Sequence, residues 1–205
     1  MTATMKRLGT ARDRRTKWPA GWSVTAMIGL ILLLTTGCAD RHTTTAVGGK
    51  ELYAFISLPQ MVATSDVIVD GTVDSTQPGR VVGEGDAALQ FTQVDLKVNE
   101  VLFGSLSSPS VTIEEGGLEG NHPSKVGDTG IYFLHEKVDA PGIYRLVNSQ
   151  SRFLETSKGT LLAPNDEAQW VKSIEGMTLD ELKALIATAV NAVEEGKVAP
   201  ASPAI

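Results

Sequence analysis

The sequence is poor in the residues that cross-link proteins or bind transition metals. It has one cysteine, Cys38, and three histidines in 205 residues. A single thiol cannot form an internal disulfide, so the stability of the fold must come from the packing of its core. No two histidines have the spacing of a helical zinc motif. We therefore expect no disulfide scaffold, no bound metal and no cofactor.

Motifs of covalent and phosphoryl chemistry are also missing. The chain has no Gly-x-Ser-x-Gly elbow for a serine nucleophile, and no Lys-Ser or Lys-Thr pair follows Gly79, Gly83 and Gly85 at the distance of a phosphate loop. The adjacent carboxylates Glu114 and Glu115 lie in a predicted strand, where neighbouring side chains point to opposite faces. They therefore do not predict a glycosidase pair. We expect no catalytic residue and favour a protein that is not an enzyme.

Negative charge dominates the chain once its beginning is set aside. The first 37 positions hold six of the 18 basic residues but only one of the 24 acidic residues. The rest of the chain carries 12 basic and 23 acidic residues, a net charge of −11. A domain this acidic repels phosphate backbones and anionic lipid headgroups. We therefore expect no nucleic-acid partner, whereas a cationic partner would fit.

The first 38 residues have the order of an export signal. Six basic residues precede an apolar run at 24–34, and the small residues Thr35-Thr36-Gly37 precede Cys38. This order resembles a bacterial lipobox, in which the cysteine receives diacylglycerol on its sulfur and becomes the first residue after cleavage. We predict a lipoprotein signal peptide over 1–37 and lipidation of Cys38. The protein would then be anchored by its lipid to the extracytoplasmic face of a cell membrane.

Two alternatives to this export route remain open. Thr35 stands where leucine is commonest in a lipobox, and residues 18–39 lack charge. At about 1.5 Å per residue, such a helix could cross a hydrocarbon core of about 30 Å as an uncleaved signal anchor. Arg14-Arg15 could instead mark twin-arginine export, although the apolar residue expected soon after the pair is missing. For the signal anchor, as for the lipoprotein, the basic flank stays inside and the domain lies outside.

The segment 51–195 is predicted to be one β-rich domain. A capping serine and an early proline predict a short helix from about Leu58. Alternating or β-branched stretches predict strands at 67–73, 91–103, 111–114, 131–135 and 143–147, and a last hairpin of 152–155 with 160–162. Gly71 predicts a bulge or a sharp bend in the first strand. The stretch 77–88 is predicted to be a mobile connection in which a hairpin extension could form.

The domain is expected to end with a helix and to be flanked by two unstructured segments. Thr178 and Glu181 form a capping box, which predicts a helix start. The apolar residues that follow at helical spacing are Leu182, Leu185, Ile186, Ala189, Val190 and Val193. We predict a flexible tether over 38–50, which is rich in threonine and glycine, and a disordered tail over 196–205.

Three stretches resemble the netrin-like module. They are Ser65-Asp66-Val67-Ile68-Val69, the strand end Val98-Asn99-Glu100-Val101-Leu102-Phe103-Gly104, and Val126-Gly127-Asp128 leading to Ile131-Tyr132-Phe133-Leu134. This module is the OB-type barrel of tissue inhibitors of metalloproteinases and of many bacterial surface proteins. The resemblance implies a mainly β fold, in which a small OB-like antiparallel β-barrel carries a short N-terminal helix and a C-terminal packing helix.

The resemblance implies a fold and no activity. The animal inhibitors use disulfides and a free N-terminal cysteine amine that chelates the zinc of the protease. This chain has no second cysteine. Its predicted N-terminal cysteine, Cys38, would be lipidated at the membrane. We therefore do not expect protease inhibition.

Three residues are candidates for binding. His122 lies in a glycine-rich loop close in sequence to Glu115, where imidazole and carboxylate groups could hold a cation. A solvated loop is the simpler interpretation. Trp170 is a candidate for an exposed aromatic contact, although pinning the C-terminal segment to the domain is its favoured role.

Three functions remain open from the sequence. The favoured one is a membrane-anchored extracytoplasmic lipoprotein that acts as a non-enzymatic binding or assembly module of the cell envelope, with an envelope protein as its partner. The second is a metal-dependent hydrolase that uses the loop residues around His122. The third is a purely structural component of the envelope.

Overall fold

The fold is mainly β, with a short N-terminal helix and a C-terminal helix. The computed structural model describes residues 52–85, 88–116, 122–165 and 168–203. The elements are α1 (Leu58–Thr64), β1 (Val67–Val82), β2 (Leu89–Phe103), β3 (Ser110–Glu115), β4 (Thr129–Lys137), β5 (Ala140–Leu146), β6 (Arg152–Glu155), β7 (Leu161–Leu162), α2 (Gln169–Lys172) and α3 (Leu179–Glu194). The predicted signal peptide, Cys38 and the predicted tether lie outside these residues. Within the described ranges, no helix combines the length and the apolar character needed to span a membrane.

Helix α1 begins where its capping signals predict. The side chain of Ser57 accepts a hydrogen bond from the backbone N–H of Gln60, and a proline occupies an early position, where a helix needs no N–H donor. Met61 and Val62 are fully buried. The predicted short helix is therefore confirmed, and its apolar side faces the core.

Strands β1 and β2 form a hairpin that extends beyond the rest of the sheet. β1 pairs with β4 only as far as Thr72, whereas its pairing with β2 continues to the pair Val82 and Leu89. We call residues 78–82 and 89–91 the hairpin arm. The sequence predicts a connection over 77–88 in which a hairpin extension could form, and the extension is present. Pro78 is tolerated in β1 because it lies where β1 is an edge strand. The register of β1 against β2 shifts between Asp70 and Gly71, so an irregularity lies at the predicted place, but the extra residue is Asn99 on β2.

Five strands close into a near-ring. The order in the sheet is β1-β2-β3-β5-β4, with β1 also paired to β4, and β6 and β7 extend the sheet beyond β4. Most pairings are antiparallel, but β3 and β5 run parallel and share only two residue pairs, Thr112 with Ile143 and Ile113 with Tyr144. The prediction of an antiparallel barrel is therefore corrected to a mixed sheet. The parallel contact brings together strands that are separated in sequence by β4.

The turn between β4 and β5 lies earlier than the sequence predicts. Pro141 and Gly142 suggest a turn, but both belong to β5, and the turn is at Val138 and Asp139. The predicted last hairpin around Lys158 is confirmed as β6 and β7. β6 pairs with the first part of β4, and β5 pairs with its second part. β6 and β5 therefore lie one after the other along β4.

Two apolar cores lie on opposite sides of the sheet. The first fills the inside of the ring and contains Val67, Val69, Val73, Val94, Leu96, Val111, Ile113, Tyr132, Leu134 and Leu146. The second lies between the sheet and the helices. The strand residues Ile68, Ile131, Phe133 and Phe153 pack there with α1 and α3 and with the short helix α2, which the sequence analysis missed.

Helix α3 starts with the predicted capping box. The Thr178 side chain accepts a hydrogen bond from the backbone N–H of Glu181, and the Glu181 carboxylate accepts one from the backbone N–H of Thr178. These hydrogen bonds hold the pKa of Glu181 below its usual value. Leu182, Ile186 and Ala189 are buried, whereas Leu185 is 41% exposed.

A salt-bridged lysine also attaches α3 to the sheet. Lys183 lies 2.7 Å from the buried Asp70 of β1 and 2.8 Å from Glu100 of β2. Burial lowers the pKa of Lys183, but the two carboxylates outweigh that effect and raise it above its usual value. The lysine therefore stays charged and compensates the buried carboxylate.

The segment after α3 differs from the predicted disordered tail as far as it is described. The backbone N–H of Ala201 donates a 2.8 Å hydrogen bond to the Thr64 hydroxyl at the end of α1. The Ala201 side chain is buried in the helical core. Small residues in this segment indicate disorder by composition, but an alanine can also fill a tight gap against a neighbouring helix.

Candidate binding site

The outward-facing side of β1, β2 and β3 is a continuous polar surface. Val94 and Leu96 point into the ring, so the alternate residues of β2 point outward. We call this surface the open face. It is formed by Ser75, Gln77, Gln93, Asp95, Lys97 and Thr112, all of which are half-buried or exposed. Among the described residues, none of these side chains belongs to the core under the helices.

A groove of about 440 Å³ lies at one end of the open face. Its walls are Asp74, Asp95, Leu96, Lys97, Val98, Pro109 and Ser110. Asp74 reaches the groove because the register of β1 and β2 shifts between Val73 and Ser75, which leaves Asp74 opposite no residue. The volume lies within the range of about 300–1,000 Å³ that is typical of small-ligand pockets.

Asp95 is the best-organised charged group of this surface. Its Oδ2 accepts a 2.8 Å hydrogen bond from Ser75 on β1, and its Oδ1 accepts a 2.9 Å hydrogen bond from Thr112 on β3. The hydrogen bond from Ser75 lowers the pKa of Asp95, partial burial raises it, and the hydrogen bond from Thr112 lowers it further. The net effect is a pKa below the usual value. Asp95 is therefore a fixed negative charge at the centre of three strands.

A cluster of charged groups lies where the open face meets the hairpin arm. Glu114 of β3 accepts hydrogen bonds from Arg80 and Lys137, and the Arg80 guanidinium also lies 3.1 Å from Asp139. Arg80 and Lys137 both lie over the ring of Phe91, at 5.1 and 5.8 Å from its centroid. The arm is thus joined to β3 and to the turn between β4 and β5.

Phe91 lies on the outward side of β2. As a large apolar residue at the start of an alternating stretch, Phe91 would be expected on the same side as Val94, Leu96 and Val98. Two residues separate Phe91 from Val94, so strict alternation in β2 puts Phe91 on the opposite side, together with Gln93. Its ring is covered by two cations and not by the barrel core.

Exposed apolar side chains lie next to this charged cluster. Val81 and Val82 on the hairpin arm are 56% and 46% exposed, and Val138 in the turn beside Asp139 is 95% exposed. The ion pair between Arg80 and Asp139 brings the arm and the turn close together. This end of the molecule therefore combines exposed apolar groups with a polar surround.

Glu115, a predicted binding residue, points into the barrel and is 4% exposed. Its Oε1 lies 2.9 Å from Nη1 of Arg152, which is 1% exposed. The backbone N–H of Ser124 donates a 3.1 Å hydrogen bond to Oε2, and the Ser124 hydroxyl donates to Oε1. Both carboxylate oxygens of Glu115 are thus engaged by the protein itself.

His122 and Trp170, the other predicted binding residues, lie apart from the open face. His122 is exposed in the loop before β4. Trp170 is half-buried at α2, where its indole N–H donates a 3.0 Å hydrogen bond to the Phe55 carbonyl. Its ring packs against the helical core. In the part of the chain that is described, no three His, Cys, Asp or Glu residues are grouped so that they could hold a metal ion.

Sequence reasoning missed the groove and most of the open face. The alternation in β2 places Asp95 and Lys97 on the polar side. This was the one sequence feature that could have indicated the open face. Asp74 and Ser75 could not be assigned to the same surface, because the bulge that positions them depends on the pairing of β1 with β2.

No protein-family model matches the chain, and a sequence search of curated proteins finds no match.

Proposed function

We propose that this chain is an extracytoplasmic lipoprotein, anchored to a cell membrane by lipid on Cys38, whose domain binds a protein partner of the cell envelope. The export signal and the lipobox-like end of the apolar run support the anchor. The net charge of −11 after residue 37 opposes binding to nucleic acid or to anionic headgroups. The domain would act as a non-enzymatic binding or assembly module.

We further propose that the domain is an OB-type barrel of the netrin-like kind. Support comes from the strand order β1-β2-β3-β5-β4, with β1 paired to β4 and β3 parallel to β5. OB-type barrels bind ligands on the face of their second and third strands and through the neighbouring loops. The open face occupies the corresponding position here.

The observation that carries the proposal is the combination of the open face with the exposed end of the hairpin arm. Protein interfaces have an apolar centre and a polar rim. Val81, Val82 and Val138 supply exposed apolar area, and the open face supplies hydroxyl, amide and charged groups around it. Exposed apolar side chains with a polar surround are a feature of interaction sites in soluble domains.

The carboxylates near these surfaces favour binding over hydrolysis. A general acid or base works best with a pKa near the operating pH. The pKa of Asp95 lies below its usual value because Ser75 and Thr112 donate hydrogen bonds to it. Glu115 is occupied by Arg152 and Ser124. These carboxylates therefore do not support a hydrolase built around His122.

The anchor is tested with Cys38→Ser in the full-length chain. We expect the wild-type protein to be found in the membrane fraction, with an N-terminal cysteine that carries the mass of a diacylglyceryl group. The variant should lose this mass and should not be processed at the same bond. A variant that is still cleaved before position 38 and still bound to membranes would overturn the anchor.

The binding surface is tested by photo-crosslinking in intact cells. A photoreactive residue at Gln77 or Val81 should give one discrete adduct with an envelope protein. The same residue at Lys158, which is exposed in the turn between β6 and β7, is the matched control and should give none. Equal adduct yields at all three positions, or no adduct at any, would reject this surface, and the second result would favour a purely structural role.

A further inference from the structure

Glu115, Ser124, Tyr132 and Arg152 form a polar cluster inside the barrel. Two buried groups of this cluster have no hydrogen-bond partner. Within the described residues, the Tyr132 hydroxyl and the Arg152 Nε–H have none. Tyr132 is 0% exposed and Arg152 is 1% exposed. An unsatisfied buried polar group costs about 1–3 kcal/mol. Two such groups at one place in a closed core require a physical explanation.

The two groups belong to neighbouring residues on the same side of the sheet. Tyr132 on β4 lies directly opposite Arg152 on β6 in the strand register, and side chains of directly opposed residues lie side by side. The Nη1 of Arg152 donates to Glu115 Oε1 at 2.9 Å and to Ser124 Oγ at 2.8 Å. The guanidinium is therefore held through Nη1, and both Arg152 and Glu115 lie close enough to the Tyr132 hydroxyl to affect its pKa.

We propose that a buried water molecule binds between Tyr132 and Arg152. The Nε–H can only donate, whereas a phenol can donate and accept. A water molecule matches both, because it accepts from Nε–H and exchanges a hydrogen bond with the phenol. Buried waters typically make about three hydrogen bonds to otherwise unsatisfied groups. The Glu115 carboxylate has spare lone pairs for the third.

The chemistry of the cluster selects water over an ion. A cation would face the N–H groups of Arg152, which carry positive charge. An anion would lie beside the Glu115 carboxylate, which Arg152 already neutralises. The surroundings of Tyr132 also keep its phenol neutral: burial raises its pKa, Asp128 and Glu115 raise it further, and Arg152 opposes them without reversing the shift. The ligand that fits is therefore a neutral molecule that both donates and accepts hydrogen bonds.

The water would support the ring near the place where the backbone pairing between neighbouring strands is shortest. β3 and β5 share only two residue pairs, and β3 ends at Glu115. The hydrogen bonds from Arg152 link the end of β3 to β6. A water held by Tyr132 would extend this link to β4.

Magnetic relaxation dispersion of water nuclei tests the proposal, because it counts water molecules that remain inside a protein for long times. The purified full-length chain in detergent is compared with Tyr132→Phe. The matched control is Tyr144→Phe, which removes a half-buried hydroxyl from β5. We expect Tyr132→Phe to lose the contribution of one water molecule and Tyr144→Phe to lose none. Equal dispersion in the wild type and Tyr132→Phe would overturn the site.

A second measurement keeps the proposal falsifiable if Tyr132→Phe does not fold. A high-resolution crystal structure of the wild-type protein should show a density peak within hydrogen-bonding distance of both Tyr132 Oη and Arg152 Nε. If the Tyr132 hydroxyl instead donates directly to a protein carbonyl, the proposal is wrong.

Discussion

The Arg152 guanidinium and the Glu115 carboxylate are 2.9 Å apart in the interior of the barrel, at the point where the backbone pairing between β3 and β5 has ended. Both residues are almost fully buried. Charges in such a position must be paired, because each loses its hydration on folding. At this point the ring is therefore held together by the ion pair of Arg152 and Glu115 and not by backbone hydrogen bonds.

Removing one charge of this pair should destabilise the domain more than removing both. Arg152→Met leaves the Glu115 carboxylate buried without a cation, which we expect to cost about 3–5 kcal/mol. The double variant Glu115→Gln with Arg152→Met has no buried charge and keeps an acceptor for Ser124, so most of this loss should be regained. Urea unfolding at neutral pH measures both. Equal stabilities of the single and double variants would contradict the role of charge.

The hydrogen bonds to Asp95 should be visible in its titration. Ser75→Ala removes the hydrogen bond from β1, so the pKa of Asp95 should rise towards its usual value. Thr112→Val should act in the same direction from β3. NMR titration of the carboxyl carbon measures both, with Thr76→Ala on β1 as the control. An unchanged pKa in both Ser75→Ala and Thr112→Val would show that these contacts do not hold the charge.

The same group predicts a pH dependence of stability. The folded-state pKa of Asp95 lies below its unfolded value, so its stabilising contribution is present above the unfolded pKa of about 3.9. It is lost as the pH falls through the folded-state pKa. The difference in unfolding free energy between wild type and Asp95→Asn should therefore shrink as the pH falls from 6 towards about 3. A difference that stays constant over this interval would refute the linkage.

The capping box of α3 should contribute measurably to stability. Thr178→Ala removes the side-chain acceptor of the Glu181 N–H, which we expect to cost about 1 kcal/mol. Thr188→Ala is the matched control, because Thr188 is exposed in the middle of the same helix. There the change should be neutral or slightly stabilising, since alanine has the higher helix propensity. Similar losses in both variants would argue against the cap.

Trp170 should hold the segment before α1 in place. Trp170→Phe keeps an aromatic ring but removes the donor to the Phe55 carbonyl, at an expected cost of about 1 kcal/mol. Amide hydrogen exchange of residues 53–56 should become faster in this variant. Gln169→Ala, which changes the preceding exposed residue, should leave it unchanged. Unaltered exchange in Trp170→Phe would mean that this hydrogen bond does not hold the segment.

The elements with local signals were predictable. Helix α1 and the capping box of α3 follow from side chains that bond to backbone groups within three residues. The strands follow from the alternation of apolar and polar residues, because one side of each strand fills a core. Glu114 and Glu115 fall on opposite faces as predicted, since adjacent residues in a strand always do.

Residues whose role depends on distant partners were not predictable. Glu115 and Arg152 are 37 positions apart. A charged residue in a strand, taken alone, is predicted to be exposed to solvent. A hairpin extension was only a possibility from the sequence, because Pro78 and Gly79 normally interrupt a strand; they are tolerated here because the strand has a free edge. The tail after α3 looks disordered by composition, but Ala201 is held by Thr64.

The sequence by itself determined the export signal pattern, the places where helices start, and which side of most strands is apolar, because these depend on neighbouring residues. Tertiary structure decided the parallel contact of β3 with β5, the burial of Glu115 against Arg152, and the groove beside Asp95. These features arise only when strands distant in the chain are brought together. The physical reason is that the effect of a charge or a bulge depends on the groups that surround it after folding.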